Sequence, residues 1–433
     1  MNIAASVTRR DLLRGAGATA VGTALAGLAP SAQAGEPRSA ASPNFIVVYT
    51  DDLGYGDLGC YGSPLIETPV LDGMARRGML FTDFYAAPVC TPSRAELLTG
   101  CYAPRVNLPA VLFPNSTNGL AAQETTVAEY LKSAGYATAW IGKWHLGVRP
   151  QDHPLEHGFD RFFGLPYSND MTPTTWPPLP LYDDRTVIEV QPDQAALTRR
   201  YSEQTTAFVR AHADQPFFLV LSHTQPHEPL FSEFAGRSAA GPHGDSVQEI
   251  DHYLGLLLHE LDALGIRDHT CVMFTSDNGP WYVGSAGHLR GRKMQTYEGG
   301  VRVPLVVEWP AVVPPGVTYR EPARLADLLP TLCAAAGVMP RADRVIDGRD
   351  LMPALSTGRP VDRGDLFYYN GTTCRGVRHG DWKLHDRQLY NLRDDPEESY
   401  DLALHHPDIA SDLTARLTGF HTALLNDHAA HYG

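Results

Sequence analysis

Four runs of β-branched and aromatic residues, each cut off by an unusual polar cluster, constrain this chain more than any other feature. "NFIVVYT" ends on Asp51-Asp52, "YATAWIG" on Lys143-Trp144-His145, "PFFLVLS" on His223 and "QPHEP", and "TCVMFTS" on Asp277-Asn278-Gly279. Continuous apolar runs of this length mark strands covered on both faces, as in an α/β sheet with helices on either side. Helical patterns lie between them: "TTVAEYLKSAG", "VQEIDHYLGLLLHELDALG" and "ARLADLLPTLCAAAG", with Gly where such helices close. Ligands of open α/β sheets gather beyond the carboxyl ends of the strands, so the polar clusters are expected to converge on one site. "MTPTTWPPLPLYDD" and "EFAGRSAAGPHGDS" read as surface loops.

After "VIDGRDLMPAL" the texture changes to the short runs "DLFYYN", "CRGVRHGDWKLHD" and "RQLYNL", followed by the helical "ASDLTARLTGFHTALL". This predicts a small antiparallel sheet with a closing helix. The expected organisation is a targeting segment over 1–34, a linker over 35–43, a catalytic domain over 44–345 and a small C-terminal subdomain over 346–433. Within that subdomain, 372–385 is placed as a wall for substrate.

The targeting segment rests on "TRRDLL" with its paired Arg9 and Arg10, the apolar "GAGATAVGTALAGLA" and a small-residue cleavage site, "AQA", ending near Ala34. This resembles a twin-arginine signal, so the expected partner is the twin-arginine export machinery and the expected location is periplasmic or secreted. The run is too short and Ala/Gly-rich for a membrane span, and no second run of spanning length follows. A formal net charge of -14 argues against a nucleic-acid surface, so an anionic substrate requires a locally positive pocket. The six cysteines show neither CxxC pairs nor zinc spacing. Cys271 and Cys333 read as buried small hydrophobes, while pairing of Cys60 with Cys101 stays open. Trp140, Trp144 and Trp309 read as packing residues.

Asp51, Asp52, Asp277 and Asn278 offer hard oxygen ligands without Cys or clustered His, a set suited to Ca²⁺ or Mg²⁺ rather than zinc. Cys90 precedes "TPSRAELLTG", in which Pro92 suits a first helical turn. A group at that helix start faces unpaired N–H groups and the positive end of the dipole. A lone Cys there reads as a structural thiol or as a low-pKa nucleophile with His145 or His227 as its base.

"CTPSR" resembles the signature of type I sulfatases, in which this cysteine is oxidised to formylglycine. "DDLGYGDLGCYG", "GYATAWIGKWHLG", "HGFDRFFGLPYSND", "SDNGP" and "TYEGGVRVP" are similar to further motifs of that family, in family order from about Asn44 to "GDWKLHDRQLYNLRDDPEES". The resemblance implies an alkaline-phosphatase-like mixed sheet sandwiched by helices, with hydrolysis of a sulfate monoester of a carbohydrate or phenol. It implies a Ca²⁺ site of Asp51, Asp52, Asp277 and Asn278, with Mg²⁺ as the variant, and formylglycine made from Cys90 by a maturation enzyme. Arg94 would steady that group, and Lys143, His145, His227 and Lys293 would surround the sulfate. His223, four residues before His227, competes for the alignment of "SHTQPHEP". The same superfamily contains phosphonate monoester and phosphodiester hydrolases, and an unconverted Cys90 would leave a non-catalytic binder of sulfated glycans.

Overall fold

The computed structural model describes residues 42–433, so the targeting segment over 1–34 lies outside the described residues. The main sheet has eleven strands. In chain order these begin with β1 (Asn44–Thr50), β2 (Met79–Tyr85), β3 (Ala137–Gly142), β4 (Arg161–Gly164) and the hairpin β5 (Pro180–Asp183) and β6 (Thr186–Val190). They continue with β7 (Phe217–Ser222), β8 (Thr270–Ser276), β9 (Arg302–Glu308), β10 (Val317–Tyr319) and β11 (Ala323–Arg324). The spatial order is β10-β2-β9-β8-β1-β7-β3-β4-β5-β6, with β11 beside β2. Strands β8, β1, β7, β3 and β4 are parallel, and β9 runs antiparallel to both β8 and β2.

The unbroken apolar runs are explained by what covers them. In β1, Phe45, Val47 and Tyr49 enter one core while Ile46 and Val48 enter the other. The first core is completed by α2 (Cys90–Thr99), α3 (Val127–Ser133) and α7 (Leu328–Ala335). The second is completed by α1 (Pro69–Arg77), α4 (Leu197–Ala211) and α5 (Gly241–Ala263). Remaining short helices are α6 (Glu298–Val301) and α8 (Met352–Thr357).

The C-terminal region forms the antiparallel sheet β12 (Leu366–Asn370), β13 (Thr373–His379), β14 (Trp382–His385) and β15 (Gln388–Asn391). The closing helix α9 (Pro407–Tyr432) covers it with Leu413, Leu424 and Phe420, the last stacked on Phe367 with ring centres 3.8 Å apart. Trp140, Trp144 and Trp309 are buried in the first core, and all six cysteines are free, Cys60 and Cys101 included.

Three local expectations are corrected. The Pro-rich stretch is not all loop, because Pro180–Asp183 is a strand whose turn at Asp184 (φ 49°) returns it along Thr186–Val190. Proline is tolerated there as a strand's first residue. The second expected loop yields its last residues to α5, which begins at Gly241 with Pro242 in its first turn. Asp245 on that turn reaches back to accept from the Gly236 and Ser238 N–H groups. The pattern "ARLADLLPTLCAAAG" divides, since Ala323–Arg324 pairs with β2 and regular helix starts only at Leu328. Asp327 accepts the Arg324 N–H at this corner, and the Arg324 side chain turns inward to the buried Glu96.

Candidate active site

The polar clusters meet at the carboxyl ends of β1, β3, β7 and β8. Backbone pairing sets them out: Asp277 N donates to the Thr50 carbonyl, His223 N to that of Tyr49 and Lys143 N to that of Ser222. Gly142 makes the last contact possible. Its φ is 112°, and a Cβ there would lie 1.7 Å from the Ser222 carbonyl oxygen, so a side chain would force β3 and β7 apart. Gly279 is similarly confined, with the Gly299 carbonyl 1.9 Å from a Cβ position, and this lets the "SDNGP" loop close onto α6.

Asp51, Asp52, Asp277 and Asn278 are fully or almost fully buried. Asp277 Oδ1 accepts the Asp52 N–H (3.1 Å), and Asn278 Nδ2 donates to Asp52 Oδ1 (2.8 Å) and to the Gly279 carbonyl (2.8 Å). These bonds orient the Asn278 amide with its Oδ1 unpartnered, and Asp51 Oδ1 is likewise buried without a hydrogen bond. Burial and the neighbouring Asp51 push the Asp277 carboxyl above the ordinary range against the pull of Arg94. Burial acts on Asp51 in the same sense, but Lys143, His227 and Arg94 together hold it well below that range. Three crowded carboxylates, one with a bare oxygen, and a bare amide oxygen beside them are donors of the kind that suit a hard divalent cation.

Cys90 is the first residue of α2, with Val89 extended before it. Its Sγ and an oxygen each of Asp51 and Asp277 lie within 4.8 Å of one another. Burial raises its thiol, opposed by Lys143 and Lys293. One turn on, Arg94 is fully buried and donates to Asp277 Oδ2 (3.0 Å), the Lys143 carbonyl (2.7 Å) and Ser222 Oγ (2.7 Å). Its guanidinium also lies 5.2 Å from the Tyr49 ring centre. Arg94 therefore ties three strand ends to the helix that presents position 90.

Lys143 Nζ meets Asp51 Oδ2 at 2.5 Å and Ser168 Oγ at 3.0 Å, wholly out of solvent. Lys293 Nζ sits 2.7 and 2.8 Å from the two Asp52 oxygens, and although burial works against its charge, Asp52 holds the ammonium protonated. His145 has φ 61°, a left-handed conformation rarely kept by a non-glycine residue, as does Asp52 at 64°. The His145 Nε2 atom is 2.8 Å from the Leu112 carbonyl, so it carries the proton, and the buried Nδ1 has no partner. Burial, then Lys143 and Arg94, keep this imidazole neutral.

His227 lies at the cleft with Nε2 3.8 Å from Asp52 Oδ2 and Nδ1 against the Glu228 carbonyl. Its competitor His223 is buried, and burial lowers it to about 3. It does not border the cleft of about 570 Å³ that Asp52, His227, Trp281, Lys293 and Met294 line. All ten sequence-identified residues thus surround one buried centre that opens through this cleft. The wall assigned to 372–385 does not line it. Its β14 residues instead face the backbone beyond Lys293, where Lys383 Nζ reaches the Thr296 carbonyl at 3.0 Å. Two contributors escaped the sequence reading, Ser168 beside Lys143 and Ser222 beside Arg94. Ser168 stood inside the quoted "LPYSND" without a role, and Ser222 looked like an ordinary strand terminus.

Among the described residues no helix is long and apolar enough to cross a membrane. The profile of the sulfatase family matches residues 43–338. N-acetylgalactosamine-6-sulfatase of Canis lupus familiaris is 40% identical over 382 residues, covering 81% of this chain and 72% of the relative. Arylsulfatase A of Homo sapiens is 41% identical over 414 residues, covering 86% and 81%. A sulfatase structure from Pseudoalteromonas sp. superposes with a TM-score of 0.83 at 26% identity, covering 90% of this chain and 91% of its own. The phosphonate monoester hydrolase of Agrobacterium radiobacter shares the fold at a TM-score of 0.61 and 20% identity, covering 90% and 96%. The mixed sheet with its small C-terminal sheet is the alkaline-phosphatase-like architecture of these enzymes, and the chain belongs to the sulfatase family as a sulfuric ester hydrolase.

Proposed function

We propose that this sulfatase cleaves a sulfate monoester of a hexosamine or phenol by means of formylglycine formed from Cys90 and a Ca²⁺ ion held by Asp51, Asp52, Asp277 and Asn278. The observation that carries the reading is the meeting of Cys90 Sγ with Asp51 and Asp277 oxygens within 4.8 Å, at the start of α2 and in the field of the buried Lys143 and the cleft-lining Lys293. The unpartnered Asp51 Oδ1 and Asn278 Oδ1 fit the cation. When present, Ca²⁺ would balance the carboxylates and polarise the sulfate, and the hydrated aldehyde would supply one hydroxyl to attack sulfur and a second whose deprotonation releases the sulfate.

The chain's own groups divide the remaining work. Lys143, wholly buried, and Lys293, on the inner wall of the cleft, bring positive charge to the place where the sulfate would lie, and charge held in such low-dielectric surroundings stabilises developing negative charge most. Asp277, adjacent to position 90, would accept the proton of the attacking hydroxyl in its ionised form, which the Arg94 hydrogen bond favours against the burial that raises it. His145 is neutral with a free Nδ1 lone pair, so it can accept the proton of the second hydroxyl. For the leaving oxygen, tautomer logic favours Lys293 over His227. The neutral His227 ring donates through Nδ1 to the Glu228 carbonyl, which leaves Nε2 without a proton to give.

The names of the relatives support a sulfated amino sugar or phenol, and the cleft has the size of ordinary small-ligand sites. Export by the twin-arginine route and maturation by a formylglycine-generating enzyme complete the proposal. The test is mass analysis of the Cys90 peptide alongside turnover of 4-nitrophenyl sulfate. The peptide of active enzyme is expected about 18 Da lighter than the thiol form, off the ordinary thiol oxidation ladder. Full activity in protein carrying only the thiol would overturn the formylglycine mechanism.

A further inference from the structure

The loop that carries Lys293 is fastened on the side away from the cleft by residues of the C-terminal sheet. Lys383 on β14 is fully buried, donates to the Thr296 carbonyl (3.0 Å) and Glu298 Oε1 (2.9 Å), and forms an ion pair with Glu398 Oε1 (2.8 Å). His385 on the same strand meets Thr296 Oγ1 at 2.7 Å. Asn370, at the end of β12, donates to the carbonyl of Met294, the residue after Lys293 (2.9 Å). Glu398 also accepts the Glu298 N–H (2.7 Å). On the other side the loop reaches the catalytic helix, since Met294 N donates to the Pro88 carbonyl, two residues before Cys90. Met294 itself has φ 72°, so the backbone immediately after Lys293 is held in a conformation that a non-glycine residue rarely adopts unaided.

A buried ammonium between two buried carboxylates is a poor device for stability alone, because an apolar replacement of matching shape generally does as well or better. What it supplies is direction. The contacts to Met294, Thr296 and Glu298 fix backbone and carboxylate atoms one to five residues beyond Lys293, Glu398 braces Glu298 and Lys383 from behind, and Lys293 must keep its Nζ within reach of both Asp52 and the departing oxygen. We infer that Lys383, with Asn370, is a positioning residue for the Lys293 ammonium, so that the C-terminal sheet sets how well the enzyme expels poor leaving groups. This rests on the leaving-group role proposed for Lys293.

The test compares kcat on 4-nitrophenyl sulfate, whose phenolate leaves without help, with kcat on a simple alkyl sulfate, whose alkoxide needs a proton. Lys383→Met/Glu398→Gln removes the ammonium together with one of its carboxylates, and Asn370→Ala removes an exposed contact and keeps the buried network. Misplacing a catalytic group by an ångström costs up to about a hundredfold, so the alkyl-to-aryl ratio is expected to fall about tenfold in the double variant and about threefold in Asn370→Ala. A structural role alone lowers the amount of active enzyme and leaves the ratio untouched. Lys383→Arg, which keeps the charge, should recover part of the ratio. Should the double variant fail to fold, Asn370→Ala decides. An unchanged ratio in the variants that fold, with Lys293→Ala showing the alkyl-selective loss, overturns the inference alone. Equal losses on both substrates in Lys293→Ala overturn its leaving-group role and the inference with it.

Discussion

Lys143 shows how much depends on one buried side chain. It lies between Asp51 and Ser168 with no route to solvent, and its backbone carbonyl is itself a ligand of Arg94. Lys143→Ala should therefore lower kcat/KM for 4-nitrophenyl sulfate by about 10²–10³, the usual cost of one electrostatic donor in a dry site. Ser168→Ala removes only the hydroxyl that orients this ammonium, and steady-state kinetics should show a loss nearer tenfold. Equal rates in wild type and Lys143→Ala would remove Lys143 from the machinery. Most of these residues were legible in the sequence because each sits next to a strand end or inside a contiguous motif. Ser168 and Ser222 were not, because a serine acquires such a role only from what the fold brings within 3 Å. Sequence chose His227 over His223 only through its His-x-Pro ending; in the fold His223 is buried while His227 borders the cleft.

At the scale of elements, α5 offers a test of buried charge outside the site. Glu249 is inaccessible to solvent, with Oε2 accepting from Ser232 Oγ (2.5 Å) and the Glu233 N–H (3.1 Å) and Oε1 unpartnered. Burial raises its carboxyl from 4.5 to about 7, opposed by the Ser232 hydrogen bond. Between those values the folded chain holds a proton that the unfolded chain has released, so stability falls as pH rises from about 4.5 to about 7 and then levels. The contribution is at most roughly 3 kcal/mol, at 1.36 kcal/mol per unit. Glu249→Gln stays neutral and should lose this part of the slope, read from denaturant midpoints at pH 5 and pH 7.5; an unaltered slope would show that Glu249 titrates normally. Elements with strong periodicity, such as α5 and the central strands, were readable from side-chain pattern alone. The hairpin of β5 and β6 was not. Its prolines and acidic turn are locally those of a loop, and only pairing with β4 makes it part of the sheet.

For the whole molecule, the sequence pattern reached the two-sheet plan because texture changes after the last main-sheet strand, but it placed residues 372–385 at the substrate, whereas β14 within that stretch backs the Lys293 loop. Contacts between segments this far apart in the chain leave no local trace, and neither does the balance of charge at the centre. Without a cation, Asp51, Asp52 and Asp277 crowd their charges in a buried space that Lys143, Arg94 and Lys293 must hold together. A ligand that binds the folded chain and not the unfolded one stabilises it by RT ln(1 + [L]/Kd), which is about 2.7 kcal/mol at a hundredfold excess over Kd. Chelation of the purified enzyme should therefore lower its Tm by several degrees, and added Ca²⁺ should restore it. Asp51→Ala removes a ligand with a bare oxygen, so its Tm should respond little to chelator or to Ca²⁺, and elemental analysis should find it depleted of calcium. A wild-type Tm indifferent to chelation, with calcium absent from the protein as purified, would reject the cation site while leaving sulfate-ester hydrolysis by this family untouched.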